Sequence, residues 1–336
     1  MNGRIYPKVE LHLHLDCSLS YEAVHAIDPT VTWEIYRSDF VAPAKCTNLA
    51  DFLERAPRAI ALMQTPDHLR LVVNDVFQQL QHDNVYYAEL RFAPLQHTEQ
   101  GLSPGEVVAI VESAVEQASN ATNIVAGLIL CTLRHYTPEQ SMQAVHLVEQ
   151  FRGTRVVGLD LAGDEAGFPL DAHIPAFRNA LEHDLSRTAH AGEASGADSV
   201  RETLKHLQPT RIGHGVRSCE DRSVLDILRA EHIHLEVCPA SNIQTNMYET
   251  YTDHPIDMLY KAGISLGVNT DTRTITPVTL TQEYDQLHHY FGWSNQQFLQ
   301  CNLFALQAAF LSDEKKKVLE QRLQKAYAAL DEIGTM

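Results

Sequence analysis

The 336-residue sequence is 44% hydrophobic and 21% charged, which is the composition of a folded globular protein and excludes an intrinsically disordered one. Its formal net charge of −17 argues against a nucleic-acid backbone or an anionic membrane as a partner, because both would repel it. The six cysteines form no CxxC pair, and no apolar run approaches the roughly 20 residues that span a bilayer, so we expect free thiols and a cytoplasmic protein. The sequence leaves the oligomeric state open.

Eight short segments rich in β-branched and apolar residues are predicted to be strands. In chain order they lie at 9–15, 85–92, 123–130, 156–162, 185–190, 210–215, 233–238 and 264–269. Segments of helical periodicity separate them, for example after Ser103 and Thr137, where a capping residue is followed by proline and an acid in the first turn. This repeated alternation predicts an α/β fold, a TIM (β/α)8 barrel of parallel strands.

Residues 17–84 interrupt the alternation between the first two strands. Apolar periodicity predicts two or three helices there, within 48–63 and 66–81, and we interpret the segment as a helical insertion over the barrel mouth. No linker rich in Pro, Gly or Ser divides the chain, and an amphipathic helix is predicted at 312–330. A single domain, 1–336, is therefore the expected organisation.

Histidines and acids collect at the predicted carboxyl ends of the strands, where barrels of this type hold their catalytic residues. In the stretch "ELHLHLDCS", alternation places His12, His14 and Asp16 on one face of the first strand. The later strand ends supply Gly163, His190, His214 and Asp271. A strand histidine taken alone is usually structural, but independent structural histidines have no reason to share one barrel mouth.

Several imidazoles and a carboxylate make a site that suits zinc, with one coordination position left for water. The ion would lower the pKa of that water from about 16 to roughly 7 and so supply a hydroxide nucleophile. Two-metal barrels often use a carboxylated lysine from a middle strand as a bridge. No lysine lies between Lys45 and Lys205, so strands two to five cannot supply one. A Glu or Cys bridge is the alternative, but a single zinc ion per chain is expected.

Glu193 follows His190 by three residues, at the start of the next helical segment. An acid in the first turn can simply interact with the helix dipole. A protonated carboxyl group at this place could instead protonate a nitrogen of the substrate and make the attacked carbon electrophilic, which requires a raised pKa.

Six motifs resemble, in order and spacing, those of the adenosine deaminase family. They are "ELHLHLD" (10–16), "DLAGDE" (160–165), "TAHAGE" (188–193), "RIGHG" (211–215), "VCPASN" (237–242) and "VNTDT" (268–272). The resemblance runs from about Lys8 to the C-terminal helix. It implies a zinc-dependent hydrolase of purine nucleotide metabolism, which converts adenosine and 2′-deoxyadenosine to inosine and 2′-deoxyinosine and releases ammonia.

The resemblance also implies a role for each catalytic and metal-binding residue. The zinc ligands would be His12, His14, His190 and Asp271. Glu193 would protonate N1 of the purine. His214 would orient the zinc-bound water and take up its proton, and Asp271 would share in catalysis.

The implied substrate contacts come from His14, Asp16, Gly163 and Thr272. Asp16 would hold the ribose 5′-hydroxyl, and the main-chain N–H of Gly163 would face N3 of the ring. Thr272 stands where better-known members of the family have a second aspartate that contacts N7. Because N7 only accepts hydrogen bonds and a threonine hydroxyl can donate one at any pH, we expect Thr272 to bind N7.

Cys17 also departs from the family pattern, which usually has glycine there. A cysteine in the left-handed region costs roughly 1 kcal/mol, so ordinary dihedral angles and a thiol near the sugar pocket are expected. The departures leave the substrate range open. The alternatives are a deaminase of another 6-aminopurine compound (aminodeoxyfutalosine, S-adenosylhomocysteine or a modified adenosine) and a catalytically silent protein that binds purine nucleosides. An AMP deaminase is disfavoured, because no basic cluster near the motifs could bind a phosphate.

Overall fold

Eight parallel β-strands form the centre of the structure, a computed structural model that describes residues 6–334. In chain order they are β1 (Lys8–His14), β2 (Val85–Phe92), β3 (Val125–Leu133), β4 (Val156–Ala162), β5 (Thr188–Ala191), β6 (Arg211–His214), β7 (His234–Val237) and β8 (Leu266–Val268). Neighbouring strands pair in sequence order within two four-stranded sheets, β1 to β4 and β5 to β8. All eight predicted strands are therefore present, although the last four are shorter than the sequence indicated.

Contacts at two seams join the sheets into one closed barrel. Leu159 of β4 forms a parallel bridge with Arg187, just before β5, and Leu13 of β1 forms one with Asp271, just after β8. Asn269 reinforces the second seam, because its side-chain oxygen accepts two backbone N–H groups of β1 at 2.8 and 3.1 Å. The predicted eight-stranded barrel is confirmed, and its first and last strands meet beside the candidate site.

Fifteen α-helices accompany the strands within residues 6–334. Between β1 and β2 lie α1 (Tyr21–Ile27), α2 (Trp33–Asp39), α3 (Leu49–Leu53), α4 (Ala56–Leu62) and α5 (Pro66–His82). One helix follows each strand from β2 to β6: α6 (Pro104–Thr122), α7 (Pro138–Gln150), α8 (Ile174–Glu182), α9 (Ala197–Leu207) and α10 (Arg222–Ala230). The remainder are α11 (Pro239–Gln244), α12 (Ile256–Lys261), α13 (Leu280–Phe291), α14 (Asn295–Ala308) and α15 (Asp313–Gly334). In this part of the chain, none combines the length and the apolar character needed to cross a membrane.

Two helices begin as their sequence predicts. The side chain of Ser103 accepts the N–H of Glu106 at the start of α6, and Thr137 does the same for Gln140 at the start of α7. In both cases the side-chain oxygen of the third helical residue accepts a hydrogen bond from the backbone N–H of the capping residue. These reciprocal bonds satisfy donors that a helix start otherwise leaves unpaired, an effect typically worth about 1 kcal/mol.

The segment 17–84 contains five helices, where the sequence predicted two or three. The apolar pattern does not reveal α1 and α2, because each has only seven residues, but Ser20 and Thr32 cap them through side-chain oxygens. The helix predicted within 48–63 is divided into α3 and α4. Since α5 packs against β2 and α6 as an ordinary crossover helix, only α1 to α4 are additional to a regular barrel.

One continuous apolar cluster fills the space between the strands and the surrounding helices. It includes strand residues such as Leu11 and Leu235, and it extends to Leu323 and Tyr327 of the last helix. The hydroxyl of Tyr327 donates to the carbonyl oxygen of Pro7, which ties α15 to the start of β1. This shared core favours the single domain that the sequence predicts.

Candidate active site

Five of the predicted site residues meet at one end of the barrel. His12 and His14 lie at the end of β1, His190 lies in β5, His214 ends β6 and Asp271 follows β8. All are buried except His14, which is partly exposed to a cavity. Parallel strands bring their carboxyl ends to the same side of the barrel, which is why residues far apart in sequence come together here.

Three distances among four atoms of this cluster match those of a tetrahedral zinc site. Nε2 of His14 lies 3.2 Å from Nε2 of His190 and 3.5 Å from Oδ1 of Asp271. Nε2 of His12 lies 3.4 Å from the same oxygen. Ligand atoms bound about 2.0–2.1 Å from a tetrahedral zinc ion are roughly 3.3 Å apart. Nε2 of His12 is also buried with no hydrogen-bond partner among the described residues, a cost that a bound cation would relieve, so these side chains fit zinc.

Hydrogen bonds to Nδ1 of His12 and His190 orient each ring so that its Nε2 faces the middle of the cluster. Nδ1 of His12 lies 2.8 Å from Oε2 of Glu236. Nδ1 of His190 lies 3.2 Å from Oδ1 of Asp160 and 3.1 Å from the carbonyl oxygen of Leu161. Carboxylate and carbonyl oxygens only accept hydrogen bonds, so each Nδ1 carries a proton, and Nε2 is the nitrogen that can offer a lone pair to a metal. A metal ligand requires this state, and such carboxylates typically orient metal-binding histidines.

Arginines inside the barrel keep these two carboxylates ionised. Nη1 of Arg91 lies 3.1 Å from Asp160, its Nη2 lies 2.6 Å from Glu236, and Nε of Arg211 lies 2.7 Å from Glu236. Burial opposes ionisation, but Arg91 and Arg211 hold the pKa of Glu236 well below its usual range. His190 and Arg91 do the same for the pKa of Asp160. Sequence reasoning missed these residues; the available signal was a charged residue inside an apolar strand, as in "IHLEVC".

Backbone contacts hold Asp271 beside β1. Its N–H donates to the carbonyl oxygen of His12 (3.1 Å), and its own carbonyl oxygen accepts the N–H of His14 (2.8 Å). Oδ2 accepts a hydrogen bond from Ser241 Oγ (2.6 Å). Although burial opposes ionisation, the neighbouring imidazoles of His12 and His214 hold the pKa of Asp271 well below its usual range. Asp271 and His214 both have left-handed backbone angles, φ +66° and +59°, and such strain often occurs at functional sites.

A chain of hydrogen bonds determines the tautomer of His214. The N–H of Ile256 donates to Nδ1 of His254 (3.2 Å), so His254 carries its proton on Nε2 and donates it to Oδ1 of Asn242 (3.2 Å). The amide nitrogen of Asn242 then donates to Nδ1 of His214 (3.0 Å). Burial lowers the pKa of His254 to about 3 and the pKa of His214 well below its usual value, so both rings are neutral at pH 7. Neutral His214 therefore carries its proton on Nε2, the nitrogen directed toward Glu193.

Glu193 faces this cluster from the turn after β5. Its side chain is buried, and Oε2 lies 3.6 Å from Nε2 of His214. Burial, followed by the nearby carboxylates of Asp271 and Glu165, raises the pKa of Glu193 well above its usual value. This shift favours the protonated carboxyl group, which is the state that a general acid requires.

Two adjoining cavities open onto the cluster. The smaller, of about 50 Å³, is bounded on one side by Leu49, Phe52 and Leu53 of α3, and on the other by the site residues His14, Gly163, His190, Glu193, His214, Asp271 and Thr272. The larger, of about 370 Å³, is mainly apolar and lies between α3, α4 and the ends of β2 to β4. Four residues line both cavities: His14, Cys17, Leu53 and Gly163.

Asp16 and Cys17 lie where the larger cavity meets β1. Oδ2 of Asp16 accepts the N–H of Ala93 (3.1 Å) and lies 3.7 Å from Nε2 of His97. Cys17 belongs to a short 3-10 helix (Leu15–Cys17), so its dihedral angles are ordinary, as expected. Burial raises the pKa of its thiol well above the usual value, which leaves it as a neutral thiol beside the cavity.

Comparison with known proteins identifies the family of the chain. The family described as adenosine deaminase matches residues 7–326. The chain belongs to the adenosine deaminase family. It is 36% identical to the adenosine deaminase of Enterococcus faecalis over 330 residues, which are 96% of this chain and 98% of that protein.

Solved structures share the fold of this adenosine deaminase family member. An adenine deaminase from Arthrobacter aurescens is 25% identical, with a TM-score of 0.88 over 95% of this chain and 98% of that one. An amidohydrolase from Burkholderia ambifaria, solved with bound zinc, is 20% identical, with a TM-score of 0.90 over 98% of this chain and 93% of that one. The barrel fold is therefore shared with an adenine deaminase and with an amidohydrolase that was solved with bound zinc.

Two histidines of this adenosine deaminase family member compete for one ligand position. The ligand atoms of His12, His190, His214 and Asp271 all lie within 4.8 Å of one another. Nε2 of His14 lies within 3.5 Å of the ligand atoms of both His190 and Asp271. Protonated Nε2 of His214 has no lone pair for a metal, whereas burial lowers the pKa of His14 to about 3 and leaves that ring neutral. The protonation states therefore favour His14 as the ligand.

All nine predicted site residues lie in the cluster or along the two cavities, but the groups that orient them were not predicted. Ser241 and Asn242 belong to the motif "VCPASN", and Asp160 and Glu165 belong to "DLAGDE". Each is a polar residue that stands in one of the quoted motifs but was given no role there. Buried polar residues need partners, and this requirement was the signal that could have found them.

Proposed function

We propose that this protein is a zinc-dependent adenosine deaminase that converts adenosine and 2′-deoxyadenosine to inosine and 2′-deoxyinosine with release of ammonia. Its 36% identity with the adenosine deaminase of Enterococcus faecalis supports this substrate. The observation that carries the chemistry is the carboxyl group of Glu193, which is buried beside a cluster of imidazoles and a carboxylate and whose pKa is raised by that burial. We further propose one zinc ion per chain and a cytoplasmic location.

The zinc ion would be held by His12, His14, His190 and Asp271, and when bound it supplies a hydroxide nucleophile at neutral pH. His12 and His190 are prepared for this role, since Glu236 and Asp160 fix their protons on the outer nitrogens. Oδ2 of Asp271 is engaged by Ser241, so Oδ1 is the oxygen that faces the histidines.

Three residues of the chain would handle the protons of the reaction. Glu193 protonates N1 of the purine, which makes C6 electrophilic. Nε2–H of His214 donates a hydrogen bond to the attacking oxygen and orients it. Because that nitrogen already carries a proton, we assign the uptake of the water proton to the carboxylate of Asp271 rather than to His214, the residue that the family resemblance implies. Asp271 would pass this proton to the amino group, which leaves as ammonia, and the proton of the C6 hydroxyl would return to Glu193.

The charges around the larger cavity favour a nucleoside over a nucleotide. Asp16, Glu54 and Asp164 line it, and none of its described lining residues is a lysine or an arginine. A 5′-phosphate would be repelled by these carboxylates and would have no cation to bind. Asp16 would accept a hydrogen bond from the ribose 5′-hydroxyl, while the N–H of Gly163 would face N3.

The second candidate is a deaminase of a larger 6-aminopurine compound, such as aminodeoxyfutalosine, S-adenosylhomocysteine or a modified adenosine. The cavity of about 370 Å³ favours it, because its apolar lining could accept a substituent on the ribose. We propose that α1 to α4 form the insertion over the mouth, since α3 and α4 line this space. A silent binding protein is disfavoured, because the metal ligands and the acid are all present.

Replacing the acid tests the proposed function. The wild type should contain about one zinc per chain by elemental analysis and should convert adenosine to inosine in an absorbance assay. Glu193→Gln should keep the zinc and the fold but lose roughly 100-fold or more in kcat, the usual size of general-acid catalysis. Glu231→Gln, at an exposed position, is the matched control. Near-wild-type turnover by E193Q would contradict the proposal, and a panel with AMP, adenine and S-adenosylhomocysteine would test the substrate class.

A further inference from the structure

Glu165 makes an unusual set of hydrogen bonds directly behind the proposed acid. Its Oε1 accepts the backbone N–H of Gly192 (2.7 Å) and the hydroxyl of Ser199. Its Oε2 accepts the N–H groups of Glu193 (3.0 Å), Ala194 (2.7 Å) and Ser195 (2.9 Å). One buried carboxylate therefore binds four consecutive backbone N–H groups of the turn that carries Glu193, together with a hydroxyl of α9.

The turn depends on this carboxylate for its shape. Four adjacent N–H groups that point into one space are a concave anion-binding arrangement, and without an anion they would be buried and unpaired. Gly192 gives the turn its geometry: its φ is +66°, and a Cβ there would lie 2.5 Å from Cγ2 of Val200. The backbone position of Glu193 is thus fixed by a residue 28 positions earlier in the chain.

We propose that Glu165 is a positioning residue for the acid step, which holds the turn 192–195 so that the Glu193 carboxyl group faces the purine. This inference rests on the proposed function, in which Glu193 protonates N1. A displacement of about 1 Å at a catalytic group can cost roughly 100-fold in rate, so a fixed turn matters for turnover.

The charge of Glu165 acts in the same direction as its hydrogen bonds. The ionisable groups that face Glu193 are Asp271, Glu165, Asp164, Arg134 and His214. After burial and Asp271, the carboxylate of Glu165 contributes to the raised pKa of Glu193, and Arg134 opposes it. Glu165 therefore both places the acid and favours its protonated form.

A double-mutant cycle tests the inference. In Glu165→Gln, one oxygen is replaced by an NH2 group that would face N–H donors, so the turn should shift. We expect kcat to fall roughly ten- to 100-fold, with zinc content and the KM for adenosine close to wild type. If Glu165 acts through Glu193, the double variant E165Q/E193Q should have the same kcat as E193Q.

The outcomes separate this inference from the proposed function. A wild-type kcat in E165Q, or a further loss of the same factor in the E193Q background, would overturn the role of Glu165. Near-wild-type turnover of E193Q would instead overturn the proposed acid. If E165Q does not fold, Ser199→Ala removes only one hydrogen bond from the carboxylate. We expect Ser199→Ala to lower kcat roughly two- to fivefold in the wild type and to leave kcat unchanged in the E193Q background. An equal fall in kcat in both backgrounds would contradict the inference.

Discussion

Thr272 shows how a single residue can change the way in which the base is held. It follows Asp271, is buried at the smaller cavity, and its Oγ1 accepts the N–H of Thr276 at 3.4 Å. A hydroxyl that accepts one hydrogen bond can still donate its own proton. N7 of a purine is only an acceptor, so a threonine can bind it at any pH, whereas an aspartate would first have to be protonated.

Thr272→Val keeps the side-chain shape and removes the donor. A neutral hydrogen bond contributes about 0.5–1.5 kcal/mol net, so kcat/KM for adenosine should fall by roughly three- to twelvefold. The analogue 7-deazaadenosine lacks the acceptor, so it should be a poor substrate of the wild type and should be nearly indifferent to the substitution. Measured kcat/KM values for both substrates and both proteins complete the cycle. If the fall in kcat/KM caused by Thr272→Val and the fall caused by 7-deazaadenosine multiply when they are combined, Thr272 does not contact N7.

The meeting of these residues at one barrel mouth could be predicted from the sequence, but their protonation could not. His214 stands in "RIGHG" and was assigned a role by its position at a strand end. Its tautomer depends on Asn242, which in turn depends on His254, and these contacts exist only in the folded chain. A motif therefore predicts which histidines meet. The hydrogen bonds that each histidine makes on the side away from the cluster decide which of its ring nitrogens can bind a metal.

At the scale of the elements, Glu283 connects two helices through a buried acid. It lies in α13, where Oε1 accepts the N–H of Ala240 at the start of α11 (2.8 Å) and Oε2 accepts the hydroxyl of Tyr251 (3.0 Å). Burial raises the pKa of Glu283 from 4.5 to about 8, so the side chain is neutral at pH 7. A neutral acid can make both contacts without the cost of a buried charge.

This raised pKa makes stability depend on pH. Between pH 4.5 and about 8 the folded protein holds a proton on Glu283 that the unfolded chain has lost, so this contribution is full below pH 4.5 and is lost as pH rises through 8. The slope is about 1.4 kcal/mol per pH unit. Glu283→Gln imitates the neutral acid, so its Tm relative to wild type should rise by several degrees from pH 5 to pH 8. Parallel Tm curves for the two proteins would contradict this.

The helices and strands were predicted unequally well, for physical reasons. Long amphipathic helices such as α6 carry both a period and a cap, and their starts were predicted correctly. Short helices such as α1 and α2 contain about two turns, which is too little for an apolar period, and tertiary packing has to stabilise them. Strands β5 to β8 are short, because only three or four residues of each predicted segment pair with a neighbouring strand.

At the scale of the whole molecule, the barrel interior is held by charges as well as by apolar packing. Arg91 joins Asp160 of β4 to Glu236 of β7, and Arg211 of β6 joins Glu236 to Glu89 of β2. These buried pairs connect the two sheets, and through Glu236 and Asp160 they reach the histidines. The sequence shows the charged residues but not their partners, because the pairing runs across strands that are distant in the chain.

The proposed zinc ion would add a further link between the sheets, since its ligands come from β1, from β5 and from Asp271, three residues after β8. A ligand at about 1,000 times its Kd stabilises the folded state by about 4 kcal/mol. For a protein of this size, that corresponds to a fall in Tm of roughly 5–10 °C when a chelator removes the metal.

His14→Ala removes a proposed ligand, so it should bind little zinc and its Tm should barely respond to the chelator. His214→Ala removes a group that carries its proton on the inner nitrogen, so it should keep about one zinc and the full Tm response while losing turnover. The reverse pattern would make His214 the ligand, and a wild-type Tm that ignores the chelator would exclude a structural contribution from zinc.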